Sequence, residues 1–203
     1  MSKKLTQQRV GLFDLPPVLI TELTGAEFGE NLGKKKLAQA ADDLLRLVQK
    51  GEGLLNLDSG WVFKVNQRSR KKMGDNADMR EAESKAIAGV ESLVRHAVLV
   101  ETHHDYEHHN PDVLAVFRLY APVVIDGRLY RAKLTVKDYV TLDNPKILHA
   151  LAAVEIRNAP LGTLPSYSGA EALQTAQPTT GRVITIAELL KNASLADGTE
   201  LTP

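Results

Sequence analysis

Cysteine is absent from this chain of 203 residues. Its absence excludes disulfide bonds, thiolate nucleophiles and thiolate metal ligands. Long apolar runs are absent too, since none approaches the roughly 20 residues that cross a bilayer. The opening residues, MSKKLTQQRV, lack the apolar core of a cleaved export signal. We therefore predict no membrane contact and a cytoplasmic location.

Net charge is also missing, because 25 basic side chains balance 25 acidic ones. Proteins that coat nucleic acid without sequence preference are usually basic overall. Any contact with phosphates must therefore come from a local cluster of lysine and arginine. A hydrophobic content of 43% with 25% charged residues is typical of a globular domain with one core.

Changes in composition along the chain predict three parts. Residues 1–17 are a loose leader that ends in two prolines, where a helix cannot continue. Residues 18–157 hold the helix and strand patterns of one domain. Residues 158–203 are a linker rich in proline, glycine and small polar residues, followed by a short docking helix. Thr185 and Glu188 match a capping box at the start of that helix.

Within the domain, helical periodicity gives way to alternation. Two early stretches carry apolar residues at helical spacing, and later stretches alternate between apolar and polar residues. Helices are predicted at 34–49 and 81–96. Strands are predicted at 18–23, on either side of a turn at 58–60, and between 98 and 156. We therefore expect an α+β fold, with N-terminal helices packed on one face of a four- or five-stranded antiparallel sheet.

The stretch APVVIDGRLYRAKLTVKD carries the strongest local pattern. Asp126-Gly127 lies between two alternating runs, and both residues tolerate the positive φ of a two-residue hairpin turn. Such a turn fixes which residues of the two strands face each other. The predicted apolar face, under the helices, consists of Phe117, Leu119, Ala121, Val123, Tyr130, Ala132, Leu134 and Val136.

The opposite face of this hairpin is polar. It pairs Arg118 with Thr135 and Tyr120 with Lys133, and it also carries Arg131. If Leu148 and Val154 of a third strand point to the core, His149 and Glu155 join the polar face. Such a face is the ordinary wet side of a half-buried sheet. Cations, a phenol and an imidazole together could also hold a phosphodiester and move protons.

The stretch ETHHDYEHHN, residues 101–110, holds four of the six histidines. His103 and His104 would enter the polar face from the end of a strand. A metal site is one interpretation, but successive strand residues point opposite ways and no HExxH spacing is present. A solvated loop is the second. A general acid or base is the third, since imidazole titrates near neutral pH.

The basic run RSRKK, residues 68–72, has two interpretations. A solvated helix start or loop is the ordinary one. Beside a phosphate-binding sheet, the same run could guide RNA, whose backbone favours local positive charge.

Four stretches resemble the large polyvalent protein-associated domains of bacteriophages and mobile elements, over roughly residues 18–157. They are LTGAEFGENL, LNLDSGWVFKVNQRSRKKM, LVRHAVLVETHHD and VFRLYAPVVIDGRLYRAKLTVKD. Related phage domains are grouped with barnase-, EndoU-, colicin- and RelE-like nucleases. The resemblance therefore implies a barnase- or RelE-like fold and an RNase that needs no metal or other cofactor.

In such an RNase the 2′-hydroxyl of RNA attacks the adjacent phosphate. The resemblance implies His103 or His104, with Tyr120, as the acid and base. It implies that Arg118 and Lys133 hold the phosphate and that Tyr120 or Thr135 donates to it. Arg131 and His149 complete the implied RNA-binding set. Glu155 is the only obvious carboxyl on these strands.

Two functions follow as expectations. The first is an RNase-like toxin or effector of a phage or mobile element, acting on RNA in the host cytoplasm. The second is a non-catalytic accessory or virion-associated protein whose tail helix docks onto another phage protein. Convergence of the site side chains on a common point favours the first, and a covered or scattered site favours the second.

Overall fold

The computed structural model describes residues 6–105, 112–141, 144–157 and 181–201. The helices are α1 (Lys34–Lys50), α2 (Gln67–Met79), α3 (Glu81–Ala88), α4 (Val90–His96) and α5 (Ile186–Leu189). The long strands are β6 (Val98–His103), β7 (Val113–Ile125), β8 (Arg128–Thr141) and β9 (Asn144–Ile156). The short strands are β1 (Thr6–Gln8), β2 (Val18–Leu19), β3 (Thr21–Leu23), β4 (Leu54–Leu55), β5 (Val62–Phe63) and β10 (Val183–Ile184).

The turn between β7 and β8 has the predicted form. Asp126 and Gly127 adopt φ values of 50° and 75°, as a two-residue turn of the primed type requires. Ile125 lies opposite Arg128, and all the predicted facing pairs of the two strands are present. The register of the hairpin is therefore confirmed.

The main sheet has the order β1-β6-β7-β8-β9, with antiparallel neighbours, and β3 adds a sixth strand. β3 runs parallel to the last residues of β7. It pairs with the same edge of β7 that β6 pairs with earlier along the strand. The predicted α+β class with helices against an antiparallel sheet is confirmed. The parallel strand was not expected, because three residues carry too little alternation to show pairing.

The segment that precedes β2 is not loose where the structure describes it. Residues Thr6–Gln8 form β1 and pair with the end of β6. A short 3-10 helix, Leu12–Asp14, buries Leu12 against the sheet. The description of residues 1–17 as a loose leader is therefore wrong for this stretch.

The helices cover the apolar face of the sheet. The predicted helix at 81–96 is divided into α3 and α4 at Gly89, where a Cβ atom would lie 2.9 Å from a methyl group of Leu23. A larger residue at this position would therefore have to displace the side chain of Leu23 on β3. The core between the helices and the sheet includes Leu45, Phe63, Ile87, Leu93, Phe117, Leu119, Leu134, Val136, Leu151 and Val154.

A second core covers part of the opposite face of the sheet, which we call the second face. β10 pairs with β2, and α5 buries Ile186 and Leu189. The capping box at Thr185 and Glu188 is present. The predicted tail helix is therefore confirmed, and it docks on this domain. The second core includes Leu12, Val18, Ile20, Val98, Val100, Tyr120, Val124, Leu129, Ile184, Ile186, Leu189 and Leu190.

Two predicted features lie outside the described residues: the linker at 158–180 and the pair His108 and His109. In the part of the chain that the structure describes, no helix has the length and apolar character needed to cross a membrane.

The helix-side core can be tested at Phe117, whose ring packs edge-on against Trp61 at a centroid distance of 4.8 Å. Phe117→Ala should lower the free energy of unfolding by about 3–5 kcal/mol, because a buried ring leaves a cavity. Leu114→Ala, on the same strand but 48% exposed, should change it by less than about 0.5 kcal/mol. Urea unfolding followed by circular dichroism measures both, and equal losses would contradict the assignment.

Docking of α5 can be tested at Leu189, which is fully buried. Leu189→Ala should cost about 2–5 kcal/mol and lower Tm, provided that the helix contributes to the folded domain. Lys191→Ala serves as the control, because its side chain is exposed beside the same helix. An unchanged Tm for Leu189→Ala would mean that α5 is not part of the folding unit.

Candidate functional site

The strand register brings most of the predicted site residues to the second face. Arg118 lies opposite Thr135, and Tyr120 lies opposite Lys133. His103 ends β6 opposite Val116, two residues before Arg118, so it shares their face. The predicted alignment of these side chains along one side of the sheet is present.

The part of the second face nearest the turn is used for docking the tail. Tyr120 lies in the second core, and burial raises its pKa, with a smaller rise from the charge of Glu101. Arg131 donates from Nη1 to the carbonyl oxygens of Leu189 and Lys191, at 3.1 Å each. A cation at the carbonyl end of a helix is stabilising. Tyr120 and Arg131 therefore hold α5 in place.

His149 is on the helix side of the sheet, so its predicted place on the polar face is wrong. The register of β9 against β8 shifts by one residue at Ala152. Such a bulge reverses the alternation for all positions beyond it. Glu155, on the near side of the bulge, does lie on the second face, opposite Lys133.

The environment of His149 is aromatic and acidic. Its ring stacks on Trp61, with centroids 4.5 Å apart and planes at 11°. Its Nδ1 lies 2.6 Å from Oδ1 of Asp138. Burial raises the pKa of Asp138, and the contact with His149 opposes that rise. This pair lies across the sheet from the other predicted site residues.

Three ion pairs cross the polar part of the second face. Arg118 contacts Glu101 at 3.1 Å, and Lys133 contacts Glu155 at 2.6 Å. The third pair joins Lys137 and Asp105 at 3.0 Å. Burial lowers the pKa of Lys133, and the hydrogen bond to Glu155 opposes that change. The charges on this face are therefore balanced in pairs.

Sequence reasoning missed Glu101 and Lys137. Glu101 is only 1% exposed, and it accepts hydrogen bonds from Arg118 at Oε1 and from the Ala196 main chain at Oε2, at 2.8 Å. It stands two residues before His103 on the same strand. Lys137 stands two residues after Thr135. The period of two that placed Arg118 and Lys133 also places Lys137 on the second face, whereas Glu101 follows a register shift between Leu99 and Glu101 that alternation does not reveal.

The two histidines at the end of β6 differ in position. His103 is 8% exposed, and its Nδ1 lies 2.6 Å from the carbonyl oxygen of His104. Because a carbonyl oxygen only accepts, Nδ1 donates in this contact, and Nε2 is buried. His104 follows the strand and is exposed. Among the described residues, no group of three or more acidic or imidazole side chains could hold a metal ion.

A family model described as large polyvalent protein-associated domain 3 matches residues 33–148, more than half of the chain. The chain belongs to this family. The matched segment contains α1 to α4 and the strands that carry Glu101, His103, Arg118 and Lys137. The short strands β1 to β3, β10 and the helix α5 lie outside it. No curated protein and no solved structure matches the chain.

The buried phenol of Tyr120 gives this domain a pH dependence. Above the ordinary phenol pKa of about 10, the unfolded chain loses this proton while the folded domain keeps it. The folded state then binds more protons, so the free energy of unfolding falls as the pH rises through and above 10. Tyr120→Phe should reduce this alkaline decline. Urea midpoints measured from about pH 8 to pH 11 test it, and identical slopes for the two proteins would contradict it.

Proposed function

We propose that this domain cuts RNA without a metal ion at the polar part of the second face, as an effector of a phage or mobile element in the host cytoplasm. The observation that carries the proposal is the placement of Glu101 and His103 on one strand beside the Arg118–Thr135 pair. A carboxylate and an imidazole can exchange protons with one substrate, while a cation and a hydroxyl hold it.

The spacing of the two proton-exchanging groups suits one phosphodiester. Residues two apart along a strand are roughly 7 Å apart and point to the same face. Glu101 takes the proton of the RNA 2′-hydroxyl, and the 2′-oxygen attacks the adjacent phosphorus. The bond to the 5′-oxygen breaks, and protonated His103 gives its proton to that oxygen. The products are a 2′,3′-cyclic phosphate and a free 5′-hydroxyl.

The cations of the face supply charge where negative charge develops. Arg118 stands between Glu101 and Thr135, and Lys137 lies one row further along the sheet. Donors fixed before the reaction stabilise the charged phosphorus intermediate without having to reorganise. Lys133, paired with Glu155, is proposed to contact the next phosphate. The proposal gives no chemical step to Tyr120 and Arg131, because their contacts serve α5.

His103 is preferred over His104 as the acid in this proposal. His103 faces the second face, where its register places it two residues from Glu101. His104 follows the end of β6, beyond the last paired position. A donor at that place can bind the leaving strand but is further from the Arg118–Thr135 pair.

A non-catalytic accessory module that binds another phage protein is the second candidate function. The observation that favours it is the cover over Glu101, whose second oxygen accepts the Ala196 main-chain N–H. The cations Arg118, Lys133 and Lys137 are also paired with carboxylates. A face whose charged groups are paired in this way suits a structural role.

The experiment is cleavage of an end-labelled single-stranded RNA, with and without a chelator. Glu101→Gln and His103→Ala should each lower the rate by about 10²–10⁴-fold, because each removes one proton-transfer group. The chelator should have no effect. A single 2′-deoxy nucleotide should block cleavage at its own position, because the attacking hydroxyl is missing.

Controls separate chemistry from folding. Glu91→Gln makes the same chemical change at an exposed position on α4 and should leave the rate unchanged. Ala196→Pro removes the N–H that contacts Glu101 and should raise the rate. Cleavage at the deoxy position, or cleavage that needs a divalent metal, would contradict the mechanism. RNA left intact by the wild type and by Ala196→Pro would favour the accessory function.

A further inference from the structure

The basic run at 68–72 has a defined place that its sequence does not reveal. The main chain of Lys64 pairs with the outer edge of β9. Its N–H donates to the His149 carbonyl at 2.8 Å, and its carbonyl accepts from the Leu151 N–H at 2.9 Å. Asn66 then caps α2 by accepting from the Ser69 N–H at 2.8 Å. This anchoring sets the first turns of α2 beside β9.

The side chains of α2 divide between the core and the outside. Ser69 and Met73 are buried, and they are one turn apart. Arg70 is occupied by an ion pair with Asp42 at 2.5 Å. Arg68 and Lys72, also one turn apart, are exposed and line a cavity between α2 and the end of the sheet.

The other wall of this cavity comes from the second face. It includes Lys137 and Tyr139 of β8, which alternate with Asp138 and so share a side, and Asp105 after β6. Burial raises the pKa of Tyr139, and the positive charge of Arg68 opposes that rise. Arg68 and Tyr139 line the same cavity.

The charge and size of the cavity indicate its ligand class. Among the described residues that line the cavity, Arg68, Lys72 and Lys137 face one carboxylate, that of Asp105, in a chain whose total charge is zero. Asp105 pairs with Lys137, but an ammonium group has three N–H donors, so two remain for a ligand. The cavity holds about 80 Å³, several times the 10–15 Å³ that one water needs on this measure. An oxyanion with several acceptor oxygens fits these donors.

We propose that this cavity binds a phosphate of an RNA strand, beyond the phosphodiester that the second face cuts. This inference rests on the proposed function and adds a second phosphate subsite to it. Lys137 connects the two, since it lies on the second face and also lines the cavity. Tyr139 is four residues from Thr135, roughly 13 Å along the strand. A substrate with one phosphate cannot occupy both places.

The test uses the full chain with Arg68→Ala and Lys72→Ala combined. Fluorescence anisotropy measures the binding of a labelled 12-nucleotide RNA whose 2′-hydroxyls carry methyl groups, so that it cannot be cut. The double variant should bind about tenfold or more weakly and reduce the slope of log affinity against log salt by one to two, about 0.7 per lost single-strand phosphate contact. A dinucleoside monophosphate should be cut with a much smaller loss.

The matched control is Lys34→Ala with Lys35→Ala, which removes the same charge from the exposed first turn of α1. It should change the affinity by less than about twofold. Equal weakening by both double variants would show attraction by net charge alone and would overturn the subsite. No binding by the wild type at low salt would overturn it as well. Binding without cleavage of ordinary RNA would contradict the proposed function but would still support the phosphate subsite.

Discussion

The two-residue turn at Asp126-Gly127 is the constraint on which the rest of the molecule depends. It sets the register of β7 against β8, and therefore the face of every side chain in the two central strands. A slip of one residue would turn the side chains of one strand over and place either Arg118 or Lys133 in the helix-side core. The turn is also tied to the helices, because Asp126 contacts Lys85 of α3 at 2.6 Å. The sheet register and the helix packing thus stabilise each other.

The sheet separates two cores of different origin. The family segment supplies α1 to α4 and most of the sheet, whereas the flanking segments pack on the sheet to form the second core and cover one end of the second face. Glu101, Arg118 and their neighbours lie between that cover and the cavity beside α2. Buried ion pairs add little to stability, since the cost of desolvation offsets the attraction. Packing alone therefore does not account for charged residues at these positions.

The sequence predicts the parts of this molecule that depend on neighbouring residues. Alternation and an Asp-Gly turn are local, so the faces of β7 and β8 could be derived, and with them Arg118, Lys133 and Thr135. His149 was misplaced because a bulge at Ala152 leaves no trace in the alternation. The position of α2 could not be predicted either, because it depends on Lys64 pairing with a strand 86 residues later. The face of Glu101 could not be predicted either, because the register of β6 shifts between Leu99 and Glu101.

Access to Glu101 depends on how the tail is held. α5 is fixed by buried apolar side chains and by Arg131, whereas Glu101 is contacted further along, by one main-chain N–H of Ala196. That N–H belongs to a local turn closed by a bond from the Leu195 N–H to the Thr199 carbonyl at 2.8 Å. One hydrogen bond between uncharged groups contributes about 1 kcal/mol to stability, and a hydrogen bond to a charged acceptor contributes rather more. Burial of one leucine of α5 contributes more than a hydrogen bond between uncharged groups. The proposed mechanism needs only the turn at 194–200 to move away from the carboxylate, because α5 is held by contacts of its own.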